Sequence, residues 1–212
     1  MYKLQRQELV DLISMKGIHD ISVLKAIGEV ERHLFVPNAM KHLAYDDVAL
    51  PIGYGQTISQ PYTVAFMTEE LRLKPGQKVL ELGTGSGYQA AILFQMGMEV
   101  YSIERNYDIL LETQKLFDRL GIRVKTKCAD GTLGWNEYAP FDGIIVTAGS
   151  PSVPVSLKNQ LGIGGRMVIP VGDKYSQKLK IVSKMESDKF EEEDIPEFKF
   201  VPLIGKEGWN EK

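Results

Sequence analysis

The spacing of apolar residues changes several times along the chain, and each change predicts an element. In residues 3–16, Leu4, Leu9, Leu12 and Ile13 share one helical stripe that Gly17 ends. Residues 20–35 repeat the pattern, with Asp20 placed to cap and Val23, Ile27 and Val30 on one face. Pro37 opens a third short helix through His42. Residues 45–60, YDDVALPIGYGQTISQ, break all periodicity and read as a long loop. Pro61 suits the first turn of the next helix, with Ser59 or Gln60 near its cap and Val64, Met67 and Leu71 on its apolar face. Lys74-Pro75-Gly76 ends that helix.

From there the rhythm is strand and helix in alternation. Val79, Leu80 and Leu82 form a short apolar run that reads as a buried parallel strand. A glycine turn follows, then an apolar helix from Tyr88. Strands are predicted at 99–104, 123–130, 141–149 and 166–172, with helices over 106–121 and up to Leu161. The segments LKIVSKME and PEFKFVPLI read as a closing antiparallel pair, and the four consecutive acids between them as a solvated turn. This order predicts an α/β fold: a doubly wound, mostly parallel sheet with an N-terminal helical extension and an antiparallel C-terminal strand pair. One domain is expected over residues 1–212, with the extension at 1–44, the loop at 45–60 and the nucleotide-binding core at 77–212.

Composition narrows the classes. Hydrophobic residues at 43% and charged ones at 25% are ordinary for a globular chain of 212 residues. A formal net charge of −3 argues against a broad nucleic-acid partner. The single cysteine, Cys128, excludes an intramolecular disulfide framework and a cysteine-cluster metal site. Cys128 sits in an alternating strand and reads as a small core residue rather than a nucleophile. His19, His33 and His42 all lie in the extension without ligand spacing, so they read as surface or satisfied core residues. No metal is expected. Without a signal-peptide pattern or a bilayer-length apolar run, a cytoplasmic protein with no membrane partner is the default expectation.

The chemistry gathers at strand ends. Gly83, Gly85 and Gly87, with Thr84 and Ser86 between them, follow Glu81 and Leu82 and open the Tyr88 helix. Such a turn presents backbone N–H groups and a helix N-terminus at the carboxyl edge of a sheet. The spacing is G-x-G-x-G, because position 88 is Tyr where a dinucleotide fingerprint needs glycine. Glu104 ends the next strand, 21 residues beyond Gly83, where a carboxylate can accept from both ribose hydroxyls; the plainer alternative is a helix N-terminal charge. Arg105 adjoins it. Asp130-Gly131 ends the third strand, where the carboxylate can accept from an adenine amino group or simply make a turn. Asp142 starts a strand and reads as structural. The exit of the fourth strand, AGSPSVP, is small and neutral and lacks an amine-gripping motif.

The E-L-G-T-G-S-G turn is similar to the first motif of class I S-adenosylmethionine-dependent methyltransferases. Together with YGQTISQPYTVAFM (54–67), RHLFVP (32–37), GGRMVIPVG (164–172) and FVPLIGKEGW (200–209), it resembles the protein-L-isoaspartate (D-aspartate) O-methyltransferase family over about residues 8–209. The resemblance implies a Rossmann-like methyltransferase. Its substrates would be isoaspartyl-containing proteins and peptides, methylated on the α-carboxyl of L-isoaspartyl and also D-aspartyl residues. The ester then closes to a succinimide that partly reopens as normal aspartate. It also implies S-adenosyl-L-methionine as cofactor, with S-adenosyl-L-homocysteine as product. Residue by residue, it makes Ser59 the active-site serine that contacts the isoaspartyl carboxylate. Thr57, Ile58 and Gln60 would line the substrate site, and Val201, Pro202 and Leu203 would offer main-chain contacts. Gly83, Thr84, Gly85, Ser86 and Gly87 would cradle the methionine moiety, Glu104 would hold the ribose, Asp130 and Gly131 would contact the adenine, and Glu81 and Arg105 would also belong to the cofactor site. Ile204 stands where some relatives carry a hydroxyl residue. Another class I methyltransferase, acting on a small molecule or RNA, and a non-catalytic adenosine-binding module remain the alternatives. The apolar FVPLIGKEGW segment is expected to fold back over the substrate site.

Overall fold

A computed structural model describes residues 2–173 and 175–210. Met1, Lys174, Glu211 and Lys212 lie outside that description, and with them the outermost bounds expected for the extension and the core. The extension contains α1 (Lys3–Met15) and α2 (Ile21–Glu29). Asp20 caps α2, its carboxylate accepting from Ser22 N at 2.7 Å and Val23 N at 3.2 Å. The helix stops at Glu29, short of the expected residue 35. Val30 is extended, and a 3-10 turn at Arg32–Leu34 carries Arg32 into the interior.

The segment 45–60 is not all loop. It holds a small antiparallel hairpin, β1 (Leu50–Gly53) with β2 (Gln56–Ile58). Tyr54 and Gly55 between the strands both have positive φ, which turns the chain in two residues. Next comes α3 (Pro61–Leu71). The side chain of Gln60, its N-cap residue, makes no cap bond. Asp47 does that work from across the loop, accepting from Tyr62 N at 2.7 Å, from the Gln60 amide at 3.0 Å and from Lys16 Nζ at 2.6 Å.

The core alternates as expected: β3 (Lys78–Leu82), α4 (Tyr88–Gln95), β4 (Glu99–Glu104), α5 (Tyr107–Leu120), β5 (Lys125–Cys128), β6 (Phe141–Val146), α6 (Val155–Gln160), β7 (Leu161–Gly172), β8 (Gln177–Glu186) and β9 (Lys189–Phe198). The seven strands run in the order β5-β4-β3-β6-β7-β8-β9. They are parallel from β5 to β7 and antiparallel for the last two pairings. The chain leaves β3 toward β4 on one side and later returns to β6 on the other. The crevice at the carboxyl ends of β3, β4 and β6 is therefore a topological switch point, where such sheets bind ligands. Asp142 is structural, accepting from Lys78 N at 2.8 Å and so joining the starts of β6 and β3.

Two further expectations are corrected at the sheet edges. Cys128 is exposed, because β5 is an outer strand with one neighbour. The acids Glu191–Asp194 belong to β9, the opposite outer strand, and not to a turn. Lys180 reaches Asp194 at 2.7 Å and Glu192 at 3.0 Å, while Lys158 reaches Glu192 at 2.6 Å. A charged outer strand of this kind resists pairing with another sheet.

Candidate active site

The glycine turn leaves β3 at Leu82. Gly83 adopts φ 97°, and a Cβ there would run into the Thr147 hydroxyl. Gly87, at φ 84°, meets Phe117 and Thr113 of α5 in the same way. Side chains are thus excluded at both ends of the turn by close approach as well as by dihedral. The Glu104 carboxylate closes the turn against β4, accepting from Gly85 N at 2.9 Å and from Asn106 N at 2.9 Å. Between them opens a pocket of about 330 Å³, walled by Gly83–Ser86, Ile103–Asn106, Gly131 and the chain at Val201–Ile204. Its backbone N–H groups, hydroxyls, one carboxylate and apolar walls suit a nucleoside carrying a short polar chain.

Three expected cofactor residues stand off that wall: Gly87 at the start of α4, Glu81 and Asp130. Glu81 is fully buried beneath it. Its carboxyl accepts from the Ser102 hydroxyl, and Ser102 in turn meets the Thr84 hydroxyl at 2.6 Å. Burial pushes the Glu81 carboxyl up to about 8. Glu81 therefore supports the turn through Ser102 and Thr84 rather than facing the pocket. Asp130 faces the C-terminal segment, accepting from Thr132 N at 2.9 Å, Thr132 Oγ1 at 2.7 Å and Lys206 N at 2.7 Å. Burial raises its pKa, but these bonds outweigh burial and hold the carboxyl below its ordinary range. Of the Asp130-Gly131 pair, only Gly131 lines the pocket.

A larger cleft of about 730 Å³ adjoins the pocket. Thr57, Ser59, Thr147 and Val201 line both spaces and form their common wall. Of the expected substrate residues, Gln60 lines only the large cleft, whereas Ile58, Pro202 and Leu203 line only the small pocket. The segment after β9 folds back over this region, as its apolar content predicts. Gly149 N donates to Val201 O at 2.7 Å and Leu203 N to Gly149 O at 2.8 Å. Further along, Glu207 accepts from Ser156 N at 3.0 Å and Ser156 Oγ at 2.6 Å, and Trp209 Nε1 donates to Gly149 O at 3.1 Å.

Two positioning residues escaped the sequence reading. Arg32 is wholly buried, and its guanidinium donates to Ala44 O at 2.7 Å, Val48 O at 3.0 Å and Ser59 O at 3.1 Å. It gathers the whole 44–59 segment onto one side chain and stacks over Tyr88 at 5.7 Å. Thr147 donates to Leu82 O at 3.0 Å and Gly83 O at 2.8 Å, tying the β6 exit to the glycine turn. The RHLFVP stretch was visible in the sequence. Nothing in its spacing reveals that its arginine points inward, since a buried cation is rare without a full set of acceptors.

Known proteins resemble the chain over nearly its whole length. The family model described as protein-L-isoaspartate (D-aspartate) O-methyltransferase matches residues 4–208. A protein-L-isoaspartate O-methyltransferase of Cytophaga hutchinsonii is 47% identical over 212 residues, covering 100% of this chain and 96% of that relative. One of Syntrophotalea carbinolica is 50% identical over 213 residues, covering 100% and 98% respectively. A solved protein-L-isoaspartate O-methyltransferase superposes with a TM-score of 0.88 at 30% identity, over 96% of this chain and 67% of the other. A Plasmodium falciparum protein solved with S-adenosyl-L-homocysteine gives a TM-score of 0.82 at 25% identity, over 94% and 98%. With matches over nearly its whole length, the chain belongs to the protein-L-isoaspartate (D-aspartate) O-methyltransferase family.

Proposed function

We propose that the chain carries out its family's reaction across the wall its two clefts share: a methyl group passes from S-adenosylmethionine to the α-carboxyl of an L-isoaspartyl residue, and of a D-aspartyl residue. The small pocket would hold S-adenosylmethionine. Glu104 would accept from the ribose, Gly83–Gly87 would cradle the methionine moiety, and Gly131, with Arg105 nearby, would border the adenine. Bound there, the cofactor supplies a methyl group activated by a sulfonium. The chain's own part is orientation. A peptide carboxylate, with a pKa near 3.5–4, is already ionised at neutral pH, so no base has to take a proton from it. Ser59 would donate to the carboxylate as a neutral group, positioning it without a tight ion pair. Thr57 and the backbone at Val201 would confine it. Alignment of this kind supplies several kcal/mol of a barrier.

Repair follows from the product. Methoxide leaves an ester carbonyl far more readily than oxide leaves a carboxylate, so the next backbone nitrogen attacks the ester carbon, and its proton departs with the methoxide as methanol to give a succinimide. Water then opens the ring to aspartyl or isoaspartyl. A cytoplasmic setting is part of the same proposal, and no helix among the described residues is long and apolar enough to cross a membrane.

The observation that carries the reading is the common wall of Thr57, Ser59, Thr147 and Val201. It is tested with matched peptides and a radiolabelled methyl donor. The isoaspartyl peptide should be methylated and the L-aspartyl peptide far less, because the isomer moves the free carboxylate by one methylene. Ser59→Ala should lower turnover by about 10–100-fold, the worth of one hydrogen bond to a charged group, with cofactor affinity within a few-fold. Equal methylation of both peptides, or wild-type turnover from Ser59→Ala, would overturn it.

A further inference from the structure

The large cleft is bigger than its proposed chemistry needs. At about 730 Å³ it has the size of a site for a drug-sized ligand, whereas the reacting group is one carboxylate on one short side chain. Its two ends differ in character. The end shared with the small pocket presents the hydroxyls of Thr57, Ser59 and Thr147. The far end is aromatic. Tyr62 and Phe66 lie one helical turn apart on α3, with ring centroids 6.0 Å apart. Phe66 meets Phe198 at the end of β9 at 5.9 Å, and Phe198 meets Phe200 at 6.3 Å. All four rings are only partly buried. Among the described residues lining the cleft, Lys199 is the one charged side chain.

We propose that this aromatic end is a subsite for an apolar side chain flanking the reacting residue, so that the enzyme favours damaged positions with a hydrophobic neighbour. The inference rests on the isoaspartyl reading of the common wall and specifies what lies beyond it. The occupant follows from continuity. A peptide whose carboxylate sits against Ser59 must run out through the same cleft, and its adjacent residues then pass the rings. Half-exposed aromatic faces gain by covering an apolar side chain and gain nothing from a backbone alone. Selection of this kind suits a repair enzyme. Hydrophobic side chains are hidden in a folded protein and exposed in a loosened segment, so the subsite recognises an unfolded stretch together with the isomerised residue.

The test walks a single phenylalanine through the two positions on either side of isoaspartate in an otherwise glycine-flanked peptide, and compares kcat/KM at each position. At one position phenylalanine should raise kcat/KM at least fivefold over glycine, mainly through KM. Leucine there should raise it by a smaller factor. In Phe66→Ser and Phe198→Ser the phenylalanine-to-glycine ratio should fall toward one. The ratio in the wild-type enzyme needs no variant, so a misfolded variant cannot hide the answer. Methylation of the glycine peptide without gain at any position overturns the subsite alone. A gain from glutamate but not phenylalanine also overturns it and assigns the effect to Lys199. No methylation of any isoaspartyl peptide overturns the functional reading beneath it.

Discussion

The small pocket and the large cleft meet at one wall but differ in how much of each is local. One side of the pocket is local: the turn Gly83–Ser86, the start of α4 and the end of β4 with Glu104 follow one another in the chain, and the opposite side, from residues 54–59 and 201–204, comes from afar. The cleft is assembled from distant pieces. Arg32 holds residues 44–59 on one side, and residues 195–201 arrive from the far end of the chain on the other. A local site depends on backbone geometry that a few glycines specify. A remote one depends on latches, and each latch is a place where it can be broken separately.

The largest effect should come from the C-terminal latch. Deleting residues 200–212 removes Val201 from the common wall and takes away Lys206 N from Asp130 and the Glu207 carboxylate from Ser156. Methyl transfer should fall below detection and the melting temperature should drop. A truncated enzyme that stays folded and turns over normally would show that the tail is no part of the site.

Next is the N-terminal latch. Arg32→Met fills similar space but leaves the Ala44, Val48 and Ser59 carbonyls without their donor. The expected loss is about 3–5 kcal/mol in urea unfolding, since each buried neutral acceptor left without a donor costs about 1–3 kcal/mol. Unchanged stability would mean that water or the backbone satisfies those carbonyls.

The converse break is on the pocket side. Glu104→Ala removes the acceptor of Gly85 N and Asn106 N and should weaken S-adenosylhomocysteine binding by about 1–3 kcal/mol by calorimetry. Peptide KM should stay nearly constant. If peptide KM rises as much as cofactor affinity falls, the two sites are not separable in this way.

The smallest effect sharpens the role of Glu81. Its folded pKa lies near 8 against an ordinary 4.5, because burial disfavours its charge. The folded state thus keeps a proton that the unfolded state releases above 4.5. The stability tied to that proton is full below 4.5 and is lost as pH rises toward 8. Between pH 6 and pH 7 the wild-type enzyme should lose up to about 1.4 kcal/mol relative to Glu81→Gln, which carries no such proton. Parallel stability curves for the two proteins would show Glu81 ionised and compensated in the folded state.

Legibility in the sequence followed the same division. The helix bounds around Asn106 and Gly121 were readable because both ends are decided within a few residues. The Asn106 side chain caps Asp108 N and Ile109 N, and Gly121 ends α5 at φ 68°. The β1–β2 hairpin was not readable, because its strands are short and its twist is set by what packs on it. The acid run at Glu191–Asp194 was misplaced for a related reason. Charge suggests solvent, and an outer strand is solvated yet still paired, here with lysines of β8 and α6 opposite.

By itself the sequence determined the alternation of strands and helices, the glycine turn, the strand-end acid Glu104 and the motif that carries Ser59. All of these depend on residues close together in the chain, where propensity, dihedral and spacing act directly. The tertiary structure alone decided that Glu81 lies under the pocket and Asp130 against the tail, that Arg32 is buried on three carbonyls, and that Thr57, Ser59, Thr147 and Val201 share one wall. Those features join segments far apart in the chain, as with Thr57 and Val201. Which partner a buried polar group finds depends on how the layers pack, and no local pattern encodes that.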